Sequence, residues 1–393
     1  MSRWRTLLPA LLLLAPLAAC GRQATVPSDS QLAPVACASH PLIDARSGKA
    51  IAGAEDLAVL DGKHLVISAH DRRAVKAALD AEHPVPEGGL YLLKAERLET
   101  AEAGAPLALV PLAAPVPLRP HGIAAARDGR QTRLFVIDRR YRHGALGVRI
   151  WSFSLSGTHL VHPRLLAQGR AWCAANDLVL DSARNRLLVT LDHAACSGWR
   201  RWWEDLRAAP SGRVTSLPLT ARKWPAPRGR PLLAGLRWPN GLALTKTAEG
   251  TRLWIAETRG HALVSLPLEG KRAGMRRLLP LPAAPDNLTR IAGDGRPDGD
   301  GGLLVAAHPS LFALALYRDH LFGRRRARTM ILRLAPDGRA STLYAEDGQR
   351  LSAATTAVIW AGRLIATSAW DSRMLVCQLD KRAQADGRAE KAE

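Results

Sequence analysis

The sequence predicts an all-β fold, a six-bladed β-propeller with four strands in each blade. One pattern recurs six times: a polar or acidic pair, a short apolar strand, a turn, and a second, stronger apolar strand. No stretch alternates strands with helices as an α/β fold would, and no internal stretch has the composition of a linker. A chain of 393 residues exceeds the usual single domain. We therefore expect one large domain built from repeats.

Each repeat begins with a pair of residues at the head of its first strand. The pairs are Glu55-Asp56, His121-Gly122, Asn176-Asp177, Asn240-Gly241, Asp286-Asn287 and Thr355-Thr356. Second strands are predicted at 65–68, 134–138, 187–190, 253–257, 303–306 and 364–367. Third strands follow at 89–93, 148–153, 213–217, 262–266, 330–334 and 374–378, and fourth strands at 107–112, 164–167, 231–234, 277–281 and 341–345. The last repeat lacks a fourth strand, and we expect residues 33–38 to supply it and close the ring.

Residues 1–19 are predicted to be a lipoprotein signal peptide. Arg3 and Arg5 precede an apolar run over 7–18, too short for the roughly 20 residues that a membrane span needs. The small residues before Cys20 resemble the bacterial lipoprotein box, in which this cysteine carries the lipid. The alternative is an ordinary signal peptide with an incidental cysteine. Gly21 resembles the pattern for outer-membrane sorting, so we expect an exported protein anchored in the outer membrane and facing the periplasm.

The predicted organisation is a lipidated tether over 20–33, a propeller over 34–380 and a disordered charged tail over 381–393. Export would place the remaining cysteines, Cys37, Cys173, Cys196 and Cys377, in an oxidising compartment. Four cysteines allow three pairings. Proximity in sequence favours Cys173 with Cys196, which leaves Cys37 with Cys377 to join the two ends of the fold. No pair of cysteines has the spacing of zinc ligands.

The formal net charge of +20 raises the question of a nucleic-acid partner. The basic residues are scattered rather than clustered, and an exported protein does not meet nucleic acid, so we expect none. Attraction to anionic lipid and a compositional bias without function are the alternatives. The predicted partners are a small-molecule substrate and the membrane that holds Cys20, and the sequence does not predict an oligomeric state.

The repeat starts predict a metal site, because the first strand of each blade lines the central channel of a propeller. The polar residues found there are Glu55, Asp56, His121, Asn176, Asp177, Asn240, Asp286 and Asn287. Carboxylates crowded in one narrow channel repel each other unless a positive charge lies among them. Oxygen ligands in an irregular cage suit Ca²⁺. The alternative is that these residues form Asx-turns at the strand starts.

Five of the segments resemble the paraoxonase/arylesterase family. They are Glu55-Asp56-Leu57, Pro120-His121-Gly122-Ile123, Asn176-Asp177-Leu178, Asn240-Gly241-Leu242 and Asp286-Asn287, with His308-Pro309 afterwards. The resemblance implies two calcium ions. A catalytic ion would be held by Glu55, Asn176, Asn240, Asp286 and Asn287, and a structural ion by Asp56, Asp177 and the backbone carbonyl of Ile123. Cys37 and Cys377 also match the terminal disulfide of the family, whereas Cys173 and Cys196 have no counterpart.

The implied activity is calcium-dependent hydrolysis of lactones and activated aryl esters, with the metal as Lewis acid. The expected catalytic residues are His121, Glu55 and Asp286, with His121 as the general base. The sequence departs from the family at Arg139, where a second histidine would orient the first. A guanidinium cannot accept a proton and should lower the pKa of His121. Asp138, His193 or a metal-bound carboxylate could substitute.

Two segments are predicted to cover the channel mouth, where His193 and His308 are expected to line the substrate pocket. Residues 199–206 have apolar side chains at i, i+3, i+4 and i+7, which predicts a short amphipathic helix. Residues 309–322 form a second apolar stretch. The alternatives to the paraoxonase-like hydrolase are a non-catalytic calcium-stabilised propeller that binds a ligand or partner, and an enzyme resembling gluconolactonases or strictosidine synthase.

Overall fold

A computed structural model describes residues 26–29, 32, 34–129, 131–142, 145–220, 225–226, 228–247, 249–292 and 300–380. Within these ranges the chain is mostly β-sheet, with four short α-helices. The predicted signal peptide, Cys20, and the tail over 381–393 lie outside the described residues, as does part of the predicted tether. In the described ranges, no helix combines the length and the apolar character that crossing a membrane requires.

The chain begins with five strands: β1 (Pro34–Asp44), β2 (Ala54–Val59), β3 (His64–Ala69), β4 (Gly89–Lys94) and β5 (Leu107–Pro111). The next two sheets are β6 (Pro120–Asp128), β7 (Gln131–Arg142), β8 (Ala145–Ser156), β9 (His159–Gln168), and β10 (Ala175–Asp181), β11 (Arg186–Leu191), β12 (Gly212–Pro218), β13 (Arg230–Leu236). Then follow β14 (Pro239–Thr247), β15 (Gly250–Glu257), β16 (Ala262–Pro267), β17 (Arg277–Pro280), and β18 (Ala284–Ala292), β19 (Asp300–His308), β20 (Thr329–Leu334), β21 (Ala340–Glu346). The last strands are β22 (Thr356–Trp360), β23 (Arg363–Thr367) and β24 (Arg373–Leu379).

Four sheets contain four antiparallel strands each, in chain order, and a fifth contains eight strands in the order β2-β3-β4-β5-β1-β24-β23-β22. The larger sheet consists of two antiparallel runs that meet at β1, which pairs with β24 antiparallel and with β5 in parallel. The predicted N-terminal closing strand is therefore confirmed. It is longer than predicted, because its second half adds the parallel pairing of residues 42–44 with 107–109.

The first strands of the runs, β2, β6, β10, β14, β18 and β22, contact one another in cyclic order, and β22 returns to β2. This arrangement is consistent with a β-propeller, whose sheets pack radially and so protect their edges. The apolar faces between neighbouring sheets are filled by buried Leu, Ile, Val and Ala side chains. The repeat-start residues consequently lie on one ring around the axis.

Three helices follow second strands and lie at the same end of the sheets as the repeat starts: α1 (Arg72–Asp80), α3 (Gly198–Leu206) and α4 (Leu311–Arg318). A fourth, α2 (Ala95–Thr100), follows β4. The helix predicted over 199–206 is confirmed, and the apolar stretch over 309–322 contains α4. Helix α1 was not predicted, although Asp71 caps it by accepting from the N–H groups of Arg73 and Ala74, both at 2.9 Å.

Both predicted disulfides are present in the structure. Cys37 and Cys377 lie directly opposite each other on β1 and β24, with Cα atoms 4.0 Å apart. Cys173 and Cys196 are 23 positions apart in the sequence, and their Cα atoms are separated by 5.4 Å. The first bond ties the two ends of the chain together, and the second lies immediately before α3.

Candidate functional site

The repeat-start residues are aimed into the channel by a repeated irregularity of the first strands. In five of the six, the pairing with the second strand shifts register at the repeat start: between 54 and 56, 120 and 123, 175 and 178, 239 and 242, and 285 and 288. A β-bulge of this kind re-aims side chains that a regular strand would send to opposite faces. The polar residues of both positions are accordingly buried.

Glu55 and His121 meet a guanidinium that comes from α1. Arg72 Nη2 donates both to Glu55 Oε2 and to His121 Nδ1, the latter at 2.6 Å. Glu55 Oε1 lies 3.5 Å from the same imidazole nitrogen. Burial raises the pKa of Glu55, with the charge of Asp286 acting in the same direction and that of Arg72 opposing it. Arg72 thus supplies the positive charge that the buried carboxylate requires.

His121 is held neutral. Burial lowers its pKa well below the ordinary value, and the positive charges of Arg139 and Arg72 lower it further. Since a guanidinium can only donate, Nδ1 of His121 is the acceptor and its proton is carried on Nε2. The prediction that Arg139 depresses the pKa of His121 is confirmed.

Asp286 links an amide and a second imidazole on the opposite side of the ring. Asn240 Nδ2 donates to Asp286 Oδ1, and His308 Nε2 donates to Asp286 Oδ2 at 2.8 Å. Two buried atoms of this group, Asn240 Oδ1 and His308 Nδ1, have no hydrogen-bond partner among the described residues. The Asp286 carboxylate therefore orients Asn240 and His308, and the Oδ1 of the one and the Nδ1 of the other remain available as acceptors.

A third group connects the ring to α3. Asn176 Nδ2 donates to Asp192 Oδ2 at 3.2 Å, and Asp192 Oδ1 lies 2.8 Å from His193 Nδ1. The other nitrogen of His193 lies 2.8 Å from Asp205 Oδ1, on the last turn of α3. Burial opposes ionisation of Asp192, but Arg201 and His193 hold its pKa well below the usual range. His193 is therefore part of the attachment of α3 to the channel mouth.

Asp56 and Asp177, predicted to hold a structural calcium, each bridge two first strands. Asp56 accepts from the N–H groups of Leu57 and Ile123, both at 2.8 Å. Asp177 accepts from those of Leu178 and Leu242, both at 2.7 Å. Burial raises the pKa of Asp56 to about 7 and raises that of Asp177 well above its ordinary value. Ile123 contacts Asp56 through its N–H, and its predicted role as a carbonyl ligand stays a prediction.

Asn287 continues this inner ring, because its Nδ2 donates to Thr356 Oγ1 at 2.8 Å. Thr356 Oγ1 also donates to the backbone carbonyl of Glu55 at 2.7 Å and so returns the ring to β2. Asn287 is thus linked to β22 directly and, through Thr356, to β2.

Sequence reasoning missed His70 and Arg72. His70 Nδ1 donates to Pro120 O at 2.8 Å, and its ring centroid lies 6.4 Å from that of His121. A second histidine therefore does lie beside His121, although it comes from the end of β3. Burial lowers the pKa of His70 to about 3, with Arg72 adding to the effect. The available signal was positional. In each of five repeats, the residue before the repeat start pairs with a second-strand residue, and the position after that partner is occupied by His70, Arg139, Asp192, Thr258 or His308.

The other proposed substitutes for a family histidine are engaged elsewhere. Asp138 accepts from the N–H of Arg119 at 2.9 Å and lies 3.7 Å from Arg140. His193 is bonded to Asp192 and Asp205, as described above. The structure brings together His121, Glu55, Asn176, Asn240, Asp286 and His308 around the mouth of the channel.

The donor set fits a hard cation such as Ca²⁺. It offers side-chain oxygens of Glu55 and Asp286 with amide oxygens of Asn176 and Asn240, and the orphaned Oδ1 of Asn240 is a buried acceptor without a donor. In the ranges that the structure describes, no three His, Cys, Asp or Glu side chains form a metal-binding group by themselves. A cation here would depend on the amides, and it would compete with Arg72 for Glu55.

No family model and no curated protein matches this sequence. Among solved structures, a luciferin-regenerating enzyme is 12% identical, covers 90% of this chain and 95% of its own, and has a TM-score of 0.48. The periplasmic gluconolactonase of Pseudomonas aeruginosa is 10% identical, with 80% and 78% covered and a TM-score of 0.43. The calcium-binding protein regucalcin from Agrobacterium tumefaciens is 12% identical, with 86% and 95% covered and a TM-score of 0.46. None of these three is a paraoxonase.

Proposed function

We propose that this protein is a calcium-dependent hydrolase of lactones and activated esters, built on a six-bladed propeller of the paraoxonase/arylesterase type. The observation that carries the proposal is the convergence of an orienting carboxylate, an imidazole with an unused nitrogen, and a set of oxygen donors at one end of the ring. Six first strands in cyclic contact support the six blades. The proposal includes export and lipidation at Cys20.

His308 is the better-placed general base. Asp286 accepts the proton of its Nε2 at 2.8 Å, which leaves the Nδ1 lone pair to take a proton from water. This is the arrangement in which a carboxylate fixes the tautomer and stabilises the imidazolium that forms. His121, the base predicted from the sequence, has its Nδ1 engaged by Arg72 and a depressed pKa. We therefore assign the base to His308 and assign to His121 the positioning of Glu55 and Arg72.

Calcium, when bound, would act as a Lewis acid on the carbonyl oxygen of the substrate. Glu55, Asn176, Asn240, Asp286 and Asn287 are the residues proposed to hold it, and Asp56, Asp177 and Ile123 those proposed for a second, structural ion. The side chains of Glu55, His121, Asn240 and Asp286 are buried, which strengthens the electrostatic contribution of each of them.

The test is hydrolysis of γ-lactones, δ-lactones, N-acyl-homoserine lactones and phenyl acetate by protein starting at Gly21, with calcium and after chelation. We expect turnover that requires calcium and falls by about 100-fold or more in His308→Gln, the range for a lost general base. His83→Gln changes an exposed histidine outside the site and should retain the wild-type rate. A larger loss in His121→Gln than in His308→Gln would return the base to His121.

One observation favours a second candidate function, a non-catalytic propeller that binds a ligand or partner. The Arg72 guanidinium already compensates Glu55, so the ring can exist without a metal. If isothermal titration detects no calcium binding and no substrate turns over, this second function replaces the first.

A further inference from the structure

A cavity lies beside the channel mouth, between α1, α4 and the segment that connects β23 to β24. Its volume is about 310 Å³. Its walls include four arginines and two aromatic side chains: Arg72, Arg73, Arg325, Arg373, Tyr317 and Trp370. None of these residues was among the site residues predicted from the sequence, and only Arg72 belongs to the site described above.

Arg73 is a fixed guanidinium without a carboxylate partner. Its N–H groups donate to the carbonyls of Tyr317, Trp370 and Arg318, at 3.1 Å for the first and 3.3 Å for the last. The guanidinium carbon also lies 4.8 Å from the ring centre of Tyr317. Within the described ranges no carboxylate pairs with it. Three neutral carbonyls hold its position and leave its charge uncompensated.

Arg325 is a second cation that pairs with no carboxylate among the described residues, and unlike Arg73 it is exposed. Its Nη1 donates to His320 Nδ1 at 3.3 Å, its only polar contact among the described residues. Burial and the charges of Arg73 and Arg325 lower the pKa of His320. The two guanidinium charges add to the effect of desolvation at this imidazole.

The two acidic side chains of the cavity are already occupied. Asp371 accepts from Arg373 Nε at 3.0 Å and from Arg373 Nη2 at 2.8 Å. Asp71 caps the first turn of α1. Four arginines against the two aspartates and Glu55, which is the partner of Arg72, leave a formal charge of +1 around the cavity. The excess lies on the side of Arg73 and Arg325, while Arg72 extends from the cavity wall to Glu55.

We propose that this cavity is a binding site for a small organic carboxylate. Guanidinium groups match the planar, two-oxygen geometry of a carboxylate, and a preorganised cation costs little further ordering when the anion binds. The proposal deepens, and for the origin of its ligand rests on, the proposed hydrolysis. Ring opening breaks the acyl C–O bond of a lactone, and water supplies the oxygen of the carboxylate, the hydrogen of the new hydroxyl and one released proton. The hydroxy acid product therefore carries the group that this neighbouring site takes.

The experiment is isothermal titration of the calcium-free protein with 4-hydroxybutyrate, at 150 mM salt and neutral pH. We expect one saturable site, with Arg325→Gln weakening binding at least 5-fold and Arg73→Lys weakening it as well. Arg324→Gln is the matched control, because Arg324 lies on the same loop and does not line the cavity. Arg73 has structural contacts, so the melting temperature of each variant is measured first, and the Arg325 variant, at an exposed position, carries the decision.

Equal weakening by Arg324→Gln would show only diffuse attraction to a chain of formal charge +20, and would overturn the proposal. Tighter, Arg325-dependent binding of inorganic phosphate would overturn the assignment to carboxylates. The titration contains no calcium and measures no turnover, so it tests the anion site independently of hydrolysis. If the carboxylate binds but no lactone is hydrolysed, the anion site stands and only the proposal that its ligand comes from a lactone fails. Hydrolysis without Arg325-dependent binding would remove the anion site and leave the proposed function in place.

Discussion

The guanidinium of Arg72 lies between Glu55 and His121 at the channel mouth. It neutralises Glu55, occupies the acceptor nitrogen of His121, and reaches the neighbouring anion cavity. Removing one partner of a buried ion pair leaves the other charge uncompensated, which is far more costly than the pair is stabilising. A bound cation and Arg72 are therefore alternative solutions to the same electrostatic problem.

Arg72→Met is expected to destabilise the calcium-free protein by about 3 kcal/mol, because Glu55 then remains buried without a counter-charge. The same variant should bind calcium about 10-fold more tightly, since the competing cation has gone. Urea unfolding with and without calcium, together with a chelator competition assay, measures both effects. Arg324→Met serves as the control, and calcium affinity that does not rise in Arg72→Met would count against the competition.

At this scale the sequence predicted the residues at the repeat starts and missed His70, at the end of a second strand, and Arg72, outside the repeat. Glu55, Asn176, Asn240 and Asp286 recur at equivalent strand starts, so the repeat alone brings them together. Arg72 reaches the ring from a helix inserted after β3, and its position depends on the conformation of that insertion. Periodicity carries no information about such a segment.

Among the elements, α3 is attached to the mouth by ionisable groups. His193 lies between Asp192 and Asp205, and Glu204 accepts from the N–H groups of Ala194 and Ala195 at 3.0 and 3.1 Å. Burial would lower the pKa of His193, but its hydrogen bonds to the two aspartates raise it above the ordinary value. The protonated imidazole donates from both nitrogens, which is the strongest form of this attachment.

Because the pKa of His193 is higher in the folded than in the unfolded protein, its stabilisation of α3 depends on pH. The stabilisation is fully present below the unfolded-state pKa, near 6.5, and is lost as the pH rises through the folded-state pKa. We expect the hydrogen-exchange protection of α3, corrected for intrinsic rates, to fall by about 1 kcal/mol over that rise. In Asp205→Asn the fall should shrink markedly. Asp80→Asn, which breaks an exposed pair with Lys76, is the control. Protection of α3 that is constant with pH would contradict this attachment.

The first strands approach so closely that two repeat starts must be glycine. A Cβ on Gly241 would lie 2.5 Å from both the Cα of Asn287 and the N of Leu288, which are backbone atoms. At Gly122 it would lie 2.6 Å from the carbonyl oxygen of Asn176. In the first five pairs, the second position thus alternates between a larger residue and glycine, because neighbouring strands interlock.

Gly241→Ala is expected to destabilise the protein by about 3 kcal/mol, since two strands must separate to admit the methyl group. Gly62→Ala is the matched control, because its Cβ would meet no atom within 4 Å and its change should stay within about 0.5 kcal/mol. The midpoints of denaturant unfolding measure both changes in stability, provided that the m-values of the two variants are the same. Equal midpoints for the two variants would show that the ring is loosely packed.

For the whole molecule, every strand segment predicted from the repeat has a counterpart in the structure, and so does the closing strand β1. The repeated apolar pattern was sufficient to predict the strands, because the strands of every repeat bury apolar side chains against the neighbouring sheet in the same way. Helices α1 and α2 were not predicted, because both are short insertions outside the repeat. Their positions are set by local capping, as at Asp71, and by contacts with neighbouring loops.

The closure of the ring gives the last prediction. Cys37 and Cys377 are 340 positions apart, whereas Cys173 and Cys196 are 23 apart. A crosslink restricts the unfolded chain more when it closes a longer loop. Replacing Cys37 and Cys377 by alanine should therefore cost about 4–5 kcal/mol, against about 3 kcal/mol for the other pair.

Urea unfolding of both double variants under oxidising conditions measures the difference. Strand β1 keeps its pairing with β24 and with β5, so the first variant should still fold and should open at this junction before the other sheets. Hydrogen exchange of β1 reports that order. A greater loss from the short-range pair would mean that α3 and its neighbours, rather than the junction of the chain ends, limit the stability of the ring.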